Sequence, residues 1–106
     1  HTLKPKGNLL LDGGATEAMK RRGKSLLSTG ILEVQGKFGI GTPVRCLGDD
    51  GGEIGVGLVN YSSTEIDKIK GVHSNKIEEI LGYQHSDEVI HRDNFVLKEP
   101  EEASSE

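Results

Sequence analysis

A chain of 106 residues with 33% hydrophobic residues, 4% aromatic residues and no Trp can bury one modest core, and it carries no apolar run of membrane length. Its 15 glycines exclude a helical bundle and suit short strands joined by tight turns. A single cysteine, Cys46, excludes an internal disulfide and fits a reducing, cytoplasmic setting, and the net charge of −4 argues against a nucleic-acid binder. The charge is uneven, because residues 1–37 hold seven Lys or Arg against three acids.

Residues 1–6 are polar, contain Pro5 and read as a linker, with one domain expected over 7–98. Residues 8–11 are a short apolar strand. Asp12 then stands at an N-cap position, Ala15, Ala18 and Met19 follow at helical spacing, and Gly23 stops a helix expected over 14–22. Lys20, Arg21, Arg22 and Lys24 crowd the end of that helix, as a solvated helix face or as a binding patch. Leu26 and Leu27 begin a strand running through Ile31, Leu32 and Val34, with a bend or bulge at Gly30. Residues 36–41 turn around Phe38. Strands at 44–47 and 54–59, separated by a turn at 48–52, predict a hairpin.

Two helix signals come next. Ser62 and Glu65 have capping-box spacing ahead of a helix at 63–70 that stops at Gly71. Ser74 opens a second helix over 74–81 that stops at Gly82. Residues 89–97 read as a final strand, and the acidic residues 99–106 as a disordered tail. This order predicts an α+β, mainly β fold: a small closed or nearly closed sheet with short flanking helices, since closure removes edges that so short a chain cannot otherwise cover.

The motifs with a chemical look fail on context. Gly23-Lys24-Ser25 has the ending of a phosphate-binding loop, but Ala18 stands where the first glycine belongs, and the helix precedes rather than follows. His91-Arg92-Asp93 matches one fragment of the protein-kinase catalytic loop with the rest of that signature missing, and reads as a turn or strand edge. Gly39-Ile40-Gly41 and Gly55-Val56-Gly57 do not complete a dinucleotide fingerprint. Cys46, His73, His85 and His91 have no zinc-ligand spacing. No catalytic, cofactor or metal site is expected in the chain.

Four segments in order, Leu11-Asp12-Gly13-Gly14-Ala15, Ser25 to Ile31, Val34-Gln35-Gly36-Lys37-Phe38 and Gly55 to Ser62, resemble the PUA domain, a small mixed-sheet pseudo-barrel also found in RNA-modifying enzymes. Ser25-Leu26-Leu27 with Gly30-Ile31, then His73-Ser74 to Gly82-Tyr83 and His91-Arg92-Asp93, resemble the version at the end of bacterial glutamate 5-kinases. That resemblance implies a parent enzyme whose preceding amino-acid-kinase domain uses ATP and Mg²⁺ to make γ-glutamyl phosphate, the first step of proline synthesis, under inhibition by proline. It implies an accessory module, with its own kinase domain and further copies of the enzyme as partners, no membrane, and no active site of its own. The alternative is a working RNA-binding module. In RNA-modifying relatives the first helix, the loop after it and the next strand hold RNA, a face that here includes Gly14, Lys20, Arg21, Arg22, Lys24 and Ser25. The negative net charge and the scarcity of stacking rings argue for the accessory role.

Overall fold

Apolar residues alternate through three short strands, and the computed structural model, which describes residues 4–99, stacks those strands side by side. They are β1 (Asn8–Leu11), β3 (Pro43–Leu47) and β4 (Glu53–Leu58), with β2 (Ile31–Gln35) and β5 (Phe95–Leu97) outside them. The sheet order is β2-β1-β3-β4-β5. β1 runs parallel to β3, and every other neighbour is antiparallel. Leu9 and Leu11 of β1, Val44 and Cys46 of β3 and Ile54 of β4 point to one side and are buried.

The helices cover the rest of that core. α1 (Gly13–Arg22) contributes Met19, α2 (Ser63–Ile69) contributes Ile66 and Ile69, and α3 (Ile77–Leu81) contributes Ile77, all buried. The end signals read from the sequence act as expected. Asp12 Oδ1 accepts from the Ala15 amide at 2.8 Å, and Gly23 leaves α1 with a left-handed φ of 61°. Ser62 and Glu65 form a complete capping box. Cys46 is sealed in the core, where burial pushes its thiol up to about 12 and keeps it from acting as a thiolate nucleophile or ligand.

Three expected elements differ. The strand expected from Leu26 to Val34 is interrupted: Leu26 makes an isolated bridge to Ile90, and Ser28–Gly30 forms a single 3₁₀ turn before β2 begins. The strand expected over 89–97 breaks the same way, with Ile90 in the bridge and Arg92–Asn94 in a 3₁₀ turn before β5. The helix expected over 74–81 is a 3₁₀ turn, Ser74–Lys76, leading into α3, and its cap is His73, whose Nδ1 accepts from the Asn75 amide at 3.3 Å. The expected tail at 99–106 lies, apart from Glu99, outside the described residues, as do residues 1–3 of the expected linker.

The two interruptions have one effect. The Leu26 amide donates to Ile90 O at 2.8 Å and the Val89 amide donates to Leu26 O at 2.8 Å. The segment ahead of one edge strand is thereby tied to the segment ahead of the other. The open ladder becomes nearly closed on itself, with Leu26, Val89 and Ile90 all buried. Close packing of α1 rests on Gly30: a Cβ there would stand 2.5 Å from Ala15 Cβ. At Gly14, on the same helix, an added Cβ would meet only Asp12 Oδ1, at 3.6 Å.

Candidate functional site

The helix repeat places Gly14, Ala18 and Arg22 in one row along α1, since residues four apart share a face. Gly14 and Ala18 of that row border a hollow of about 280 Å³ whose other walls include Asp12, Ser25, Leu27 and Thr29. Gly14 and Ser25 of the expected face therefore share one groove. Lys24 stands beside it, in a neighbouring hollow of about 370 Å³ shared with Ser25, Glu88, His91 and Arg92.

The remaining cations separate. Arg21 turns back along the helix to Glu17, with Nε–Oε2 at 3.2 Å and both side chains exposed. Such an i,i+4 pair adds a few tenths of a kcal/mol, about 0.3–0.5, and occupies the guanidinium. Lys20 follows Thr16 by one turn and faces away from the groove, toward β4 and β5, where it also borders a second hollow with Lys24 and Arg92. Of the expected residues only Gly14 and Ser25 line the groove, with Lys24 in the hollow beside it and Arg22 lining neither.

Arg92 and His91 were not among the expected site residues, and the structure brings them beside Lys24 and Ser25. Ser25 Oγ accepts from the Arg92 amide at 2.8 Å. His91 Nδ1 accepts from the Asp93 amide at 3.0 Å and so caps the turn that holds Arg92. Nothing in the spacing of Ser25 and Arg92 announces this contact. It follows from the Leu26–Ile90 bridge.

A second cluster sits at the start of α2, on residues the sequence marked only as a cap. Glu65 Oε1 accepts from the Ser62 amide at 2.8 Å. Its Oε2 accepts from Tyr83 Oη at 2.6 Å and lies 3.1 Å from His85 Nε2. The His85 ring stacks at a tilt between Tyr61 and Tyr83, with centroids 4.9 and 5.0 Å away. Burial alone would raise the Glu65 carboxyl. The hydrogen bonds from Tyr83, the Ser62 amide and His85, together with the charge of His85, outweigh burial and hold the carboxyl below its ordinary value. The hydrogen bond to Glu65 in turn raises the Tyr83 phenol. The cluster ties the segment after α3 to the first turn of α2. A lowered carboxyl adds stability above its ordinary range and loses it as pH falls through the lowered value. Glu65→Gln is therefore expected to cost about 1–2 kcal/mol at pH 7, with the gap from the unaltered chain closing below about pH 4. Thermal melts of both chains at pH 7, 5 and 3 check this, and a gap that stays constant to pH 3 contradicts it.

Among the described residues no three His, Cys, Asp or Glu side chains gather as a metal-binding group, and no helix is long and apolar enough to cross a membrane.

Comparison with known proteins follows the same outline. The family model for the PUA domain matches residues 7–81. The glutamate 5-kinase of Thermus thermophilus is 55% identical over 97 residues, covering 92% of this chain and 26% of that enzyme. The glutamate 5-kinase of Geobacter sulfurreducens is 53% identical over 97 residues, with the same coverage of 92% and 26%. The chain thus spans about a quarter of the length of the curated relatives it matches. Among solved structures, a PUA domain from Aeropyrum pernix in a tartrate complex superposes with a TM-score of 0.60 at 24% identity, over 81% of this chain and 41% of that one. A chain of an archaeal box H/ACA sRNP complex superposes at 0.55 with 15% identity, over 87% and 23%. Both show the fold alone.

Proposed function

The chain belongs to the PUA domain family, and from that premise we propose that it is the accessory C-terminal module of a cytoplasmic glutamate 5-kinase. The carrying observation is the 55% identity over 97 residues, a length that cannot fit ahead of residue 81 and so extends past the family model. Likeness beyond the shared fold points to one subfamily. In this reading ATP, Mg²⁺ and glutamate bind in a preceding kinase domain, which phosphorylates the glutamate γ-carboxylate in proline synthesis. The present chain serves assembly or regulation of that enzyme and its oligomer. The groove between α1 and the Ser28–Gly30 turn presents Ser25, Thr29 and an Asp12 carboxylate already engaged as the α1 cap, with no base paired to it, which supports a role without chemistry of its own. The test is glutamate-dependent phosphoryl transfer by this chain alone and by a glutamate 5-kinase cut ahead of Gly7.

A second reading, an RNA-binding module, is favoured by one observation: Gly14 and Ser25 line one groove, and Lys24 stands in the hollow next to it, which shares Ser25. A glycine lets a ribose-phosphate backbone come close, and Lys24 beside it can meet a phosphate. Such binding would be weak and salt-sensitive, because few aromatic platforms accompany the cations. In a salt titration of labelled tRNA, changing Lys20, Arg21, Arg22 and Lys24 to alanine together should abolish binding and leave the fold intact. Binding that survives either high salt or the alanine changes contradicts this surface.

A further inference from the structure

We propose that the hollow at the C-terminal end of α1, rimmed by Lys20, Lys24 and Arg92, is a binding site for a phosphate group.

The hollow measures about 160 Å³, and no carboxylate lines it. Its floor is apolar, made by Met19, Phe95 and Leu97. Among the described residues, none of its three cations has a carboxylate within 4 Å. Arg21, Arg45, Lys70, Lys76 and Lys98 each do. Lys6, Arg22, Lys37 and Lys68 likewise have no carboxylate within 4 Å among the described residues, so it is the gathering of three such cations around one acid-free hollow, in a chain of net charge −4, that marks this place.

The helix dipole supplies part of one. Cations in the last turn of a helix are favoured by its negative end, which accounts for Lys20. It does not account for Lys24, which lies beyond the left-handed Gly23, nor for Arg92, which arrives from a separate turn. The Arg92 backbone is held in place by Ser25 Oγ at 2.8 Å and by the Leu26–Ile90 bridge. Arg92 also lies outside residues 7–81, the stretch that the PUA family model matches.

The chemistry of the rim selects the ligand. A guanidinium fork with two ammonium groups matches the several oxygens of a phosphate, donating to more than one of them at once. A phosphate monoester carries up to two charges and offsets the mutual repulsion of three cations. A lone carboxylate offsets less. The volume admits a phosphoryl group with a few further atoms resting on Phe95 and Leu97, and not a whole nucleotide. The phosphate could come from a free phosphorylated small molecule or from a nucleic-acid end. The small volume of the hollow favours the free molecule.

The test is a titration of the ¹⁵N-labelled chain with inorganic phosphate, at ionic strength held constant by chloride, read as amide shifts. A second titration uses a single-stranded RNA oligomer with and without a 5′-phosphate. The expected result is saturable movement of the Gly23, Lys24, Arg92 and Phe95 amides by inorganic phosphate. Arg92→Ala should weaken that binding at least tenfold while leaving the melting temperature unchanged, because Ser25 holds the backbone of Arg92 and not its side chain. Arg21→Ala, which removes a cation already paired with Glu17, should leave it unaltered. Unsaturable shifts spread over the surface, or equal binding by Arg92→Ala, would overturn the proposal. Movement of these amides by RNA but not by inorganic phosphate would also overturn it and assign the residues to a nucleic-acid face.

Discussion

Replacing Tyr61 by alanine is expected to lower the melting temperature by about 15 °C or more, from a loss of about 3 kcal/mol at about 5 °C per kcal/mol for a domain of this size. Tyr61 is the largest fully buried side chain, with no exposed surface. Its ring fills the space between the end of β4 and the segment before Val89, where alanine would leave a cavity. Its hydroxyl holds both polar groups of the Ser86 backbone, donating to the carbonyl and accepting from the amide, the latter at 3.0 Å. Two contributions therefore disappear together. Tyr61→Phe separates them, since it keeps the ring and strands the Ser86 groups, and it should cost about 1–3 kcal/mol. Thermal melts of the three chains are the check. A Tyr61→Ala chain melting within about 5 °C of the unaltered one would show that this ring does not anchor the sheet to the later loop.

The second large effect belongs to Gly55. A Cβ there would stand 2.3 Å from Val96 O, 2.6 Å from Phe95 Cζ and 3.0 Å from Leu97 Cα. Two of these three atoms are backbone, so no rotamer change relieves the clash. β5 has to move away from β4 at the Gly55–Leu97 pair. Overpacking of this kind costs about 1–3 kcal/mol and sometimes more. Gly55→Ala should therefore destabilise the chain by about 3 kcal/mol and speed amide exchange through Phe95, Val96 and Leu97. Gly39→Ala is the control, because a Cβ there meets nothing within 4 Å. It should change stability by less than about 0.5 kcal/mol. If the two variants melt alike, the fit of β5 against β4 is not what requires glycine at 55. Gly57 sits in a related crowd, since a Cβ there would stand 2.6 Å from Ile90 Cγ2, so its lack of a side chain makes room for the crossing segment.

Local chemistry explains which elements were legible from the sequence. α1 was readable because Asp12 and Gly23 carry its two ends, and α2 because the Ser62–Glu65 box is a short-range device. β3 and β4 were readable because apolar alternation and a glycine-rich turn coincide. The interrupted stretches were not readable. Leu26-Leu27 and Val89-Ile90 have strand-like residues, but each segment pairs at one bridge and then coils into a 3₁₀ turn, a decision made by a contact between segments more than 60 residues apart. His73 as a cap was missed because histidine does this work less often than the serine beside it. The basic residues at the end of α1 were visible as a cluster, yet a cluster in sequence spreads around a helix. The structure turns Arg21 to Glu17, sends Lys20 toward β5, leaves Lys24 by the groove, and adds Arg92 from afar.

The central claim, that this chain is an accessory module and the chemistry lies elsewhere in its enzyme, is tested most directly by glutamate-dependent release of ADP. It should be measured on this chain alone, on a glutamate 5-kinase joined to it, and on the same enzyme cut ahead of Gly7. The account predicts no release from the isolated chain. It predicts sustained release from the cut enzyme, with a change in its oligomeric mass or in its inhibition by proline. Glutamate-dependent release of ADP by the isolated chain would contradict the account.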